Sequence, residues 1–290
     1  VWTDYNTGDG TQVIAIIDTG VDYTHPDLAA NIWVNTAELN GVEGLDDDGN
    51  GFVDDVRGWD FINNDNAPLD DNMHGTHVAG IAGAVGNNGL GISGAAWNVK
   101  LMPIKVFQSS GLGNVAQISE GIAYADLNGA NLINMSFSSM SRSTLLYDAL
   151  TAVNQKTILV AASGNNGTNL GPCPGCRPYF PAAYRFVIGV EDSSGGYDNY
   201  DGDGSVFSAY SDLLNYECEV PGTKILSTVP NGGYRELTGT SMSAPLVSGA
   251  MSLLLNYNNN LSREFILGDI SNAKGDKGID FLKVFSPNRK

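Results

Sequence analysis

Short apolar runs alternate with stretches of helical period along this chain. The first run, Val13 to Ile17, ends on Asp18; Leu101 to Phe107, Asn131 to Phe137, Thr157 to Ala162 and Phe186 to Val190 follow. Continuous apolar runs of this length suit strands covered on both faces. Between them, Val115 to Leu127 places Ile118, Ile122 and Ala125 on one helical face and stops at Gly129. Ser143 to Val153 groups Leu146, Leu150 and Val153 in the same way. The alternation predicts an α/β fold of three layers, a mostly parallel central sheet flanked by helices. Near the end, Ser262 followed by Glu264, Phe265, Ile266 and Leu267 predicts a last helix, and Phe281 to Phe285 a final apolar segment. No internal repeat and no linker breaks the pattern, so residues 1–290 read as one domain.

Composition narrows what such a domain can do. Hydrophobic residues make up 42 % of the 290, enough for a core. No apolar run approaches the roughly 20 residues of a membrane helix, which argues against a membrane partner. The longest, Leu246 to Leu255, is broken by Ser248, Gly249 and Ser252. With no basic, apolar leader at its start, the chain reads as a mature or trimmed form. A formal charge of −17 argues against nucleic acid as partner. The acidic residues gather at Asp46 to Asp55 and Asp198 to Asp203, which suits cation binding as well as plain solubility. Of three cysteines, Cys173 and Cys176 flank a Pro-Gly pair. A zinc site would want a second pair, and Pro172 and Pro178 do not suit a redox motif opening a helix. A local disulfide is the preferred reading, with Cys218 left as a buried thiol.

Three segments carry chemistry. Ile16-Ile17-Asp18-Thr19-Gly20 puts a carboxylate at the carboxyl end of a buried strand, where open parallel sheets form their sites. His74-Gly75-Thr76-His77-Val78-Ala79-Gly80 opens a helix with histidine, and Gly239-Thr240-Ser241-Met242-Ser243-Ala244-Pro245 opens another with serine. Pro245 is expected in the first turn, where proline is tolerated. A serine hydroxyl becomes a nucleophile when an imidazole takes its proton, and the imidazole needs a carboxylate to fix its tautomer. Each segment alone would more often be structural; all three together point to catalysis. A metal pair at His74 and His77 lacks any acidic or cysteine ligand at helical spacing, which argues against a zinc protease.

In that order, Asp18, His74 and Ser241, the segments resemble the triad motifs of the subtilisin family. A fourth, Ala161-Ala162-Ser163-Gly164-Asn165-Asn166-Gly167, resembles the motif whose asparagine donates to the oxyanion, here Asn165. The backbone N–H of Ser241 would be the second donor. The resemblance covers the chain from about Val13 onward and implies a secreted serine endopeptidase working through an acyl-enzyme. It further implies a protein or peptide substrate, a propeptide that inhibits, and a monomer. A substrate strand would lie between Ser110-Gly111-Leu112-Gly113 and Ser136-Phe137-Ser138-Ser139, by strand addition. Ser138 and Ser139 stand where the family has glycines. Tyr179 falls near the floor of the primary pocket, and Phe107, Val115 and Phe137 suit an apolar P4 pocket. Met242 matches a family methionine next to the nucleophile, so peroxide is expected to inactivate. Two rivals are a dedicated processing protease or transpeptidase on this scaffold and a non-catalytic binding protein. The absence of a long insertion near Ser241 argues against the first, and the intact triad against the second.

Calcium has its own signal. Asp46-Asp47-Asp48-Gly49-Asn50-Gly51-Phe52-Val53-Asp54 follows the first nine positions of an EF-hand loop. Asp46, Asp48, Asn50 and Asp54 would offer side chains and Phe52 its carbonyl. Arg57 occupies the place of the final bidentate glutamate, so Asp55 or a distant carboxylate would complete the shell. A second Ca2+ site is implied by the resemblance alone: Asp27 with Asn87 and the carbonyls of Val85, Leu90 and Ile92. The family has about fifteen more residues ahead of the first strand, one often a ligand. Asp198, Asp201 and Asp203 make a third candidate.

Overall fold

A computed structural model describes residues 6–166, 178–193 and 216–257, with Trp2 and the short strands Lys274–Gly275 and Gly278–Ile279. The expected last helix, Phe281 to Phe285, Cys173, Cys176 and the Asp198–Asp203 cluster lie outside the described residues.

Seven strands form one sheet: β1 (Val13–Asp18), β2 (Trp59–Asp60), β3 (Lys100–Lys105), β4 (Leu132–Met135), β5 (Ile158–Ala162), β6 (Ile188–Asp192) and β7 (Tyr216–Val220). Their order is β2-β3-β1-β4-β5-β6-β7 and every pairing is parallel. A hairpin, β8 (Ile225–Val229) and β9 (Gly233–Leu237), stands apart as a second sheet. The helices are α1 (Thr36–Asn40), α2 (His74–Gly83), α3 (Val115–Leu127), α4 (Thr144–Val153) and α5 (Thr240–Tyr257).

The three expected layers follow from the alternation within each strand. On β1, Ile14 and Ile16 join Val78, Ile81, Val247 and Met251 of α2 and α5 in one core. Ala15 and Ile17 point the other way, into a core with Ile118, Ile122, Leu146 and Leu150 of α3 and α4. Burial on both faces removes the polar alternation of a half-exposed sheet, which is why these strands read as unbroken apolar runs. Truncating a fully buried isoleucine such as Ile16 to alanine should cost about 2–5 kcal/mol. Cys218 is 2 % exposed and belongs to the first core.

Two elements escape a pattern reading. Tyr216–Val220 carries Glu217 and Glu219 at alternate positions and lies at the sheet edge, so it lacks the continuous apolar signature. The hairpin turns at Asn231-Gly232, both with positive φ; its buried positions Ser227 and Thr228 are polar and its second strand is largely exposed, so it does not register as core. β1 is flanked by β3 on one side and β4 on the other, and the strand order reverses there. The carboxyl ends around this reversal are where open α/β sheets place ligands.

Candidate active site

Asp18 ends β1 and is 1 % exposed. Its Oδ1 accepts the Thr19 N–H and contacts His74 Nδ1, both at 2.7 Å. A carboxylate can only accept, so Nδ1 carries the proton and Nε2 is left as the base. Burial alone would push the imidazole pKa down. The charge of Asp18, its hydrogen bond, and the charge of Asp70 outweigh this, and the His74 pKa rises above its usual value.

The start of α2 is held by side chains. Met73, before His74, has φ 102°, a left-handed conformation that methionine rarely adopts. Asp70 supports it: Oδ1 accepts the N–H groups of Asn72 and Met73 and the Thr19 hydroxyl, at 3.0, 3.0 and 2.9 Å. Oδ2 accepts the Thr76 N–H and hydroxyl at 2.8 and 2.6 Å. Thr19 Oγ1 also accepts the Gly75 N–H at 3.0 Å. Asp70 therefore caps the helix carrying the base and grips the residue beside the acid. A Cβ at Gly75 would sit 2.1 Å from the Gly20 carbonyl, so only glycine allows this approach. His77, one turn on, is fully buried with Nε2 on the Arg235 carbonyl at 2.9 Å. Burial dominates its environment and lowers its pKa.

Ser241 is the second residue of α5, and its N–H precedes the first intrahelical bond. Its Oγ donates to the Ser136 carbonyl at 3.0 Å, while Ser136 Oγ donates to the Ser241 carbonyl at 2.9 Å. The second bond has a cause. Pro245 is the sixth residue of α5, beyond the first turn where it was expected, and has no N–H for the carbonyl four residues back. That carbonyl is Ser241's, and Ser136 supplies the missing donor. Ser136 Oγ also accepts from Asn134 Nδ2 at 3.0 Å, and Asn134 Oδ1 accepts from Ser248 Oγ at 2.9 Å. This buried chain locks α5 to the end of β4. Met242 is 2 % exposed, packed in the core beside the serine.

Asn165 follows β5 and is exposed. Its Oδ1 accepts the Thr240 N–H at 2.8 Å and lies 3.1 Å from the Thr240 hydroxyl. A backbone N–H can only donate, so the amide orientation is fixed with Nδ2 as the free donor.

Beside His74 opens a cleft of about 580 Å³, lined among others by Gly111, Leu112, Ser136, Phe137 and Ser138. Phe107, Val115 and Ile118 add an apolar wall, and Phe107 meets Phe137 edge to face at 5.1 Å. Phe180, rather than Tyr179, lines this cleft, held by reciprocal 2.8 Å bonds to the Ser139 backbone. Tyr179 is 5 % exposed and packs in the core.

The acidic loop gathers a carboxylate the sequence reading missed. Glu38, Asp46 and Asp48 each bring an oxygen within 4.8 Å of the others. Asn35 caps α1 and Glu38 stands three residues on, the spacing of a helix cap, so nothing marked it as a ligand. Instead Glu38 accepts the N–H groups of Asp47 and Asp54 and faces the loop. Among the described residues the ion pairs are His74–Asp18 and Lys105–Asp71, so no basic side chain compensates this cluster. Hard oxygen donors without a cation partner fit calcium. The other expected ligands are turned differently. Asn50 points Nδ2 at Asp48 and Asp55, and Asp54 Oδ2 holds the Gly44 N–H. The Phe52 ring packs on Trp59 and Tyr124.

At Asp27 the loop folds over the carboxylate as expected, but Asn88, not Asn87, reaches it: Nδ2 lies 2.6 Å from Oδ1. Oδ2 accepts the Ile92 N–H at 2.9 Å and the Tyr234 hydroxyl at 3.0 Å. Val85 meets the Asp27 backbone through its N–H, Asn87 turns at φ 57°, and Leu90 donates its N–H to Asn88 Oδ1. Each Asp27 oxygen receives a protein donor in this arrangement, as the oxygens of Glu38, Asp46 and Asp48 also do, and a carboxylate oxygen keeps further lone pairs.

An Asp18–His74 couple at the carboxyl edge of a parallel sheet, with Ser241 opening α5 and Asn165 turned as an amide donor, supplies the group types that acyl transfer to a serine needs. The family model described as the subtilase family matches residues 9–283, and the chain belongs to that family. It is 36 % identical over 281 residues to subtilisin-like protease 1 of Plasmodium berghei (strain Anka), covering 91 % of this chain and 46 % of that protein. The chain thus spans less than half that relative's length. It is also 36 % identical to thermitase of Thermoactinomyces vulgaris, over 87 % of this chain and 77 % of thermitase. The crystal structure of a cold adapted subtilisin-like serine proteinase shares the fold, with a TM-score of 0.67 and 24 % identity, over 96 % of this chain and 86 % of that one.

Proposed function

We propose that the chain is a serine endopeptidase that cleaves peptide bonds through an acyl-enzyme. The observation that carries this is the Asp18–His74 couple at 2.7 Å with Ser241 and Asn165 at the same sheet edge. Ser241 Oγ attacks the scissile carbonyl once it leaves the Ser136 carbonyl for His74 Nε2. His74 takes that proton and returns it to the leaving amine. Asp18 holds the tautomer and stabilises the imidazolium. Asn165 Nδ2 and the Ser241 N–H receive the oxyanion. The substrate strand lies along 110–113 and 136–139, and the apolar wall favours an apolar side chain at P4.

Calcium held by Glu38, Asp46 and Asp48 neutralises the cluster and ties α1 to its loop. The family resemblance supports the rest of the reading: a propeptide as inhibitor, action outside the cell, one domain, and a monomer. Labelling of Ser241 by a fluorophosphonate, lost in Ser241→Ala, together with cleavage of a peptide library, tests the proposal. Intact folded protein that takes up no label overturns it.

A further inference from the structure

Lys105, the last residue of β3, pairs in register with Asp18 of β1. It is 1 % exposed, and a buried ammonium costs several kcal/mol unless paired and hydrogen-bonded. Its Nζ meets the Thr19 carbonyl and Asp71 Oδ1, both at 2.6 Å, and the Phe107 carbonyl at 3.1 Å. These three acceptors belong to three working parts. Thr19 follows the catalytic acid. Phe107 begins the cleft wall. Asp71 lies in the loop to His74, next to Asn72, which bonds both the His74 N–H and the Ser109 carbonyl. An apolar side chain could fill the same volume without the desolvation cost, but it could not bind three acceptors at once.

We propose that Lys105 is a positioning residue, whose ammonium holds the acid, the base-bearing loop and the cleft wall in one register. The proposal rests on the peptidase reading above for its kinetic consequence, but not for its structural one. A side chain that only filled the core would affect melting and nothing else. Displacing His74 from Asp18 by about 1 Å is worth up to roughly 10²-fold in rate.

The test is Lys105→Met, with Lys105→Arg as conservative rescue, and Lys105→Gln in place of the first if that variant fails to fold. Well below the melting temperature, kcat should fall at least tenfold, as a displacement of this order implies, with KM changed less than about threefold. Lys105→Arg should restore most of it. The second readout needs no turnover: the His74 protonation midpoint by NMR. The charged groups facing His74 are Asp18, Asp70, the Asp71–Lys105 pair and His77. Removing a positive charge without moving anything raises that midpoint; loosening the grip of Asp18 lowers it. A fall supports the proposal, and a rise or no change overturns it. A wild-type chain that cleaves no peptide counts against the peptidase reading, and the titration still decides Lys105.

Discussion

Ser136 and Ser241 exchange hydrogen bonds, hydroxyl to carbonyl in each direction, at 3.0 and 2.9 Å. The pair exists because Pro245 denies the Ser241 carbonyl its helical donor. Ser136→Ala should orphan that carbonyl at a cost of about 1–3 kcal/mol and lower kcat more than it raises KM. Adding Pro245→Ala returns an N–H at the right place, so the double variant should regain stability over Ser136→Ala alone. Thermal melts and kinetics on the four-member cycle measure this. Additive effects, with no regain, would show that the two residues are uncoupled.

The pH dependence follows from His74. The proposed reaction needs the neutral imidazole; burial lowers its pKa, but Asp18 and Asp70 outweigh this and raise it above the usual 6.5. The acid limb of kcat/KM should therefore fall above pH 6.5, with activity lost as pH drops through it. Asp70→Asn removes one raising charge and should move that limb to lower pH. Asp18→Asn should move it further and cut kcat by about 10⁴, as an inverted tautomer does in other serine proteases. Both come from pH–rate profiles on a small peptide amide. A limb displaced upward in Asp70→Asn contradicts the assignment.

Asn165 is anchored by its oxygen, and in the proposed mechanism its effect lies in the transition state. Asn165→Leu should reduce kcat on the order of 10²–10³, the figure known for the equivalent asparagine of subtilisin, with KM little changed. Steady-state kinetics decide this. A loss confined to KM would make it a ground-state contact.

Calcium at Glu38, Asp46 and Asp48 should raise the melting temperature as the ion is added, and EDTA should reverse it. At a hundredfold excess over Kd the stabilisation is about 2.7 kcal/mol. Glu38→Gln should abolish most of the shift while Asn87→Ala leaves it intact. A calcium-dependent shift that survives Glu38→Gln puts the ion elsewhere.

How much of this was legible beforehand varies by residue. The core strands, α3 and α4 were readable because burial on both faces and a 3.6-residue period leave direct marks on the order of side chains. Asp18, His74, Ser241 and Asn165 stood out as candidates because each sits in a short motif. The residues that orient them were not. Asp70 looks like one acid among many until its five hydrogen bonds converge. Lys105 looks like a strand end until its ammonium reaches Thr19, Asp71 and Phe107. Glu38 looked like a helix cap, and it is Asn88, beside the expected Asn87, whose side chain meets Asp27. Sequence alone determined the layers and picked out the candidate reacting groups, since periodicity and motifs are local. Tertiary structure alone decided which acid caps, which lysine clamps and which carboxylates face one another. Such partners lie from two to more than eighty residues apart, as Lys105 shows with Phe107 and Thr19, and a side chain's direction depends on the backbone that the whole fold sets.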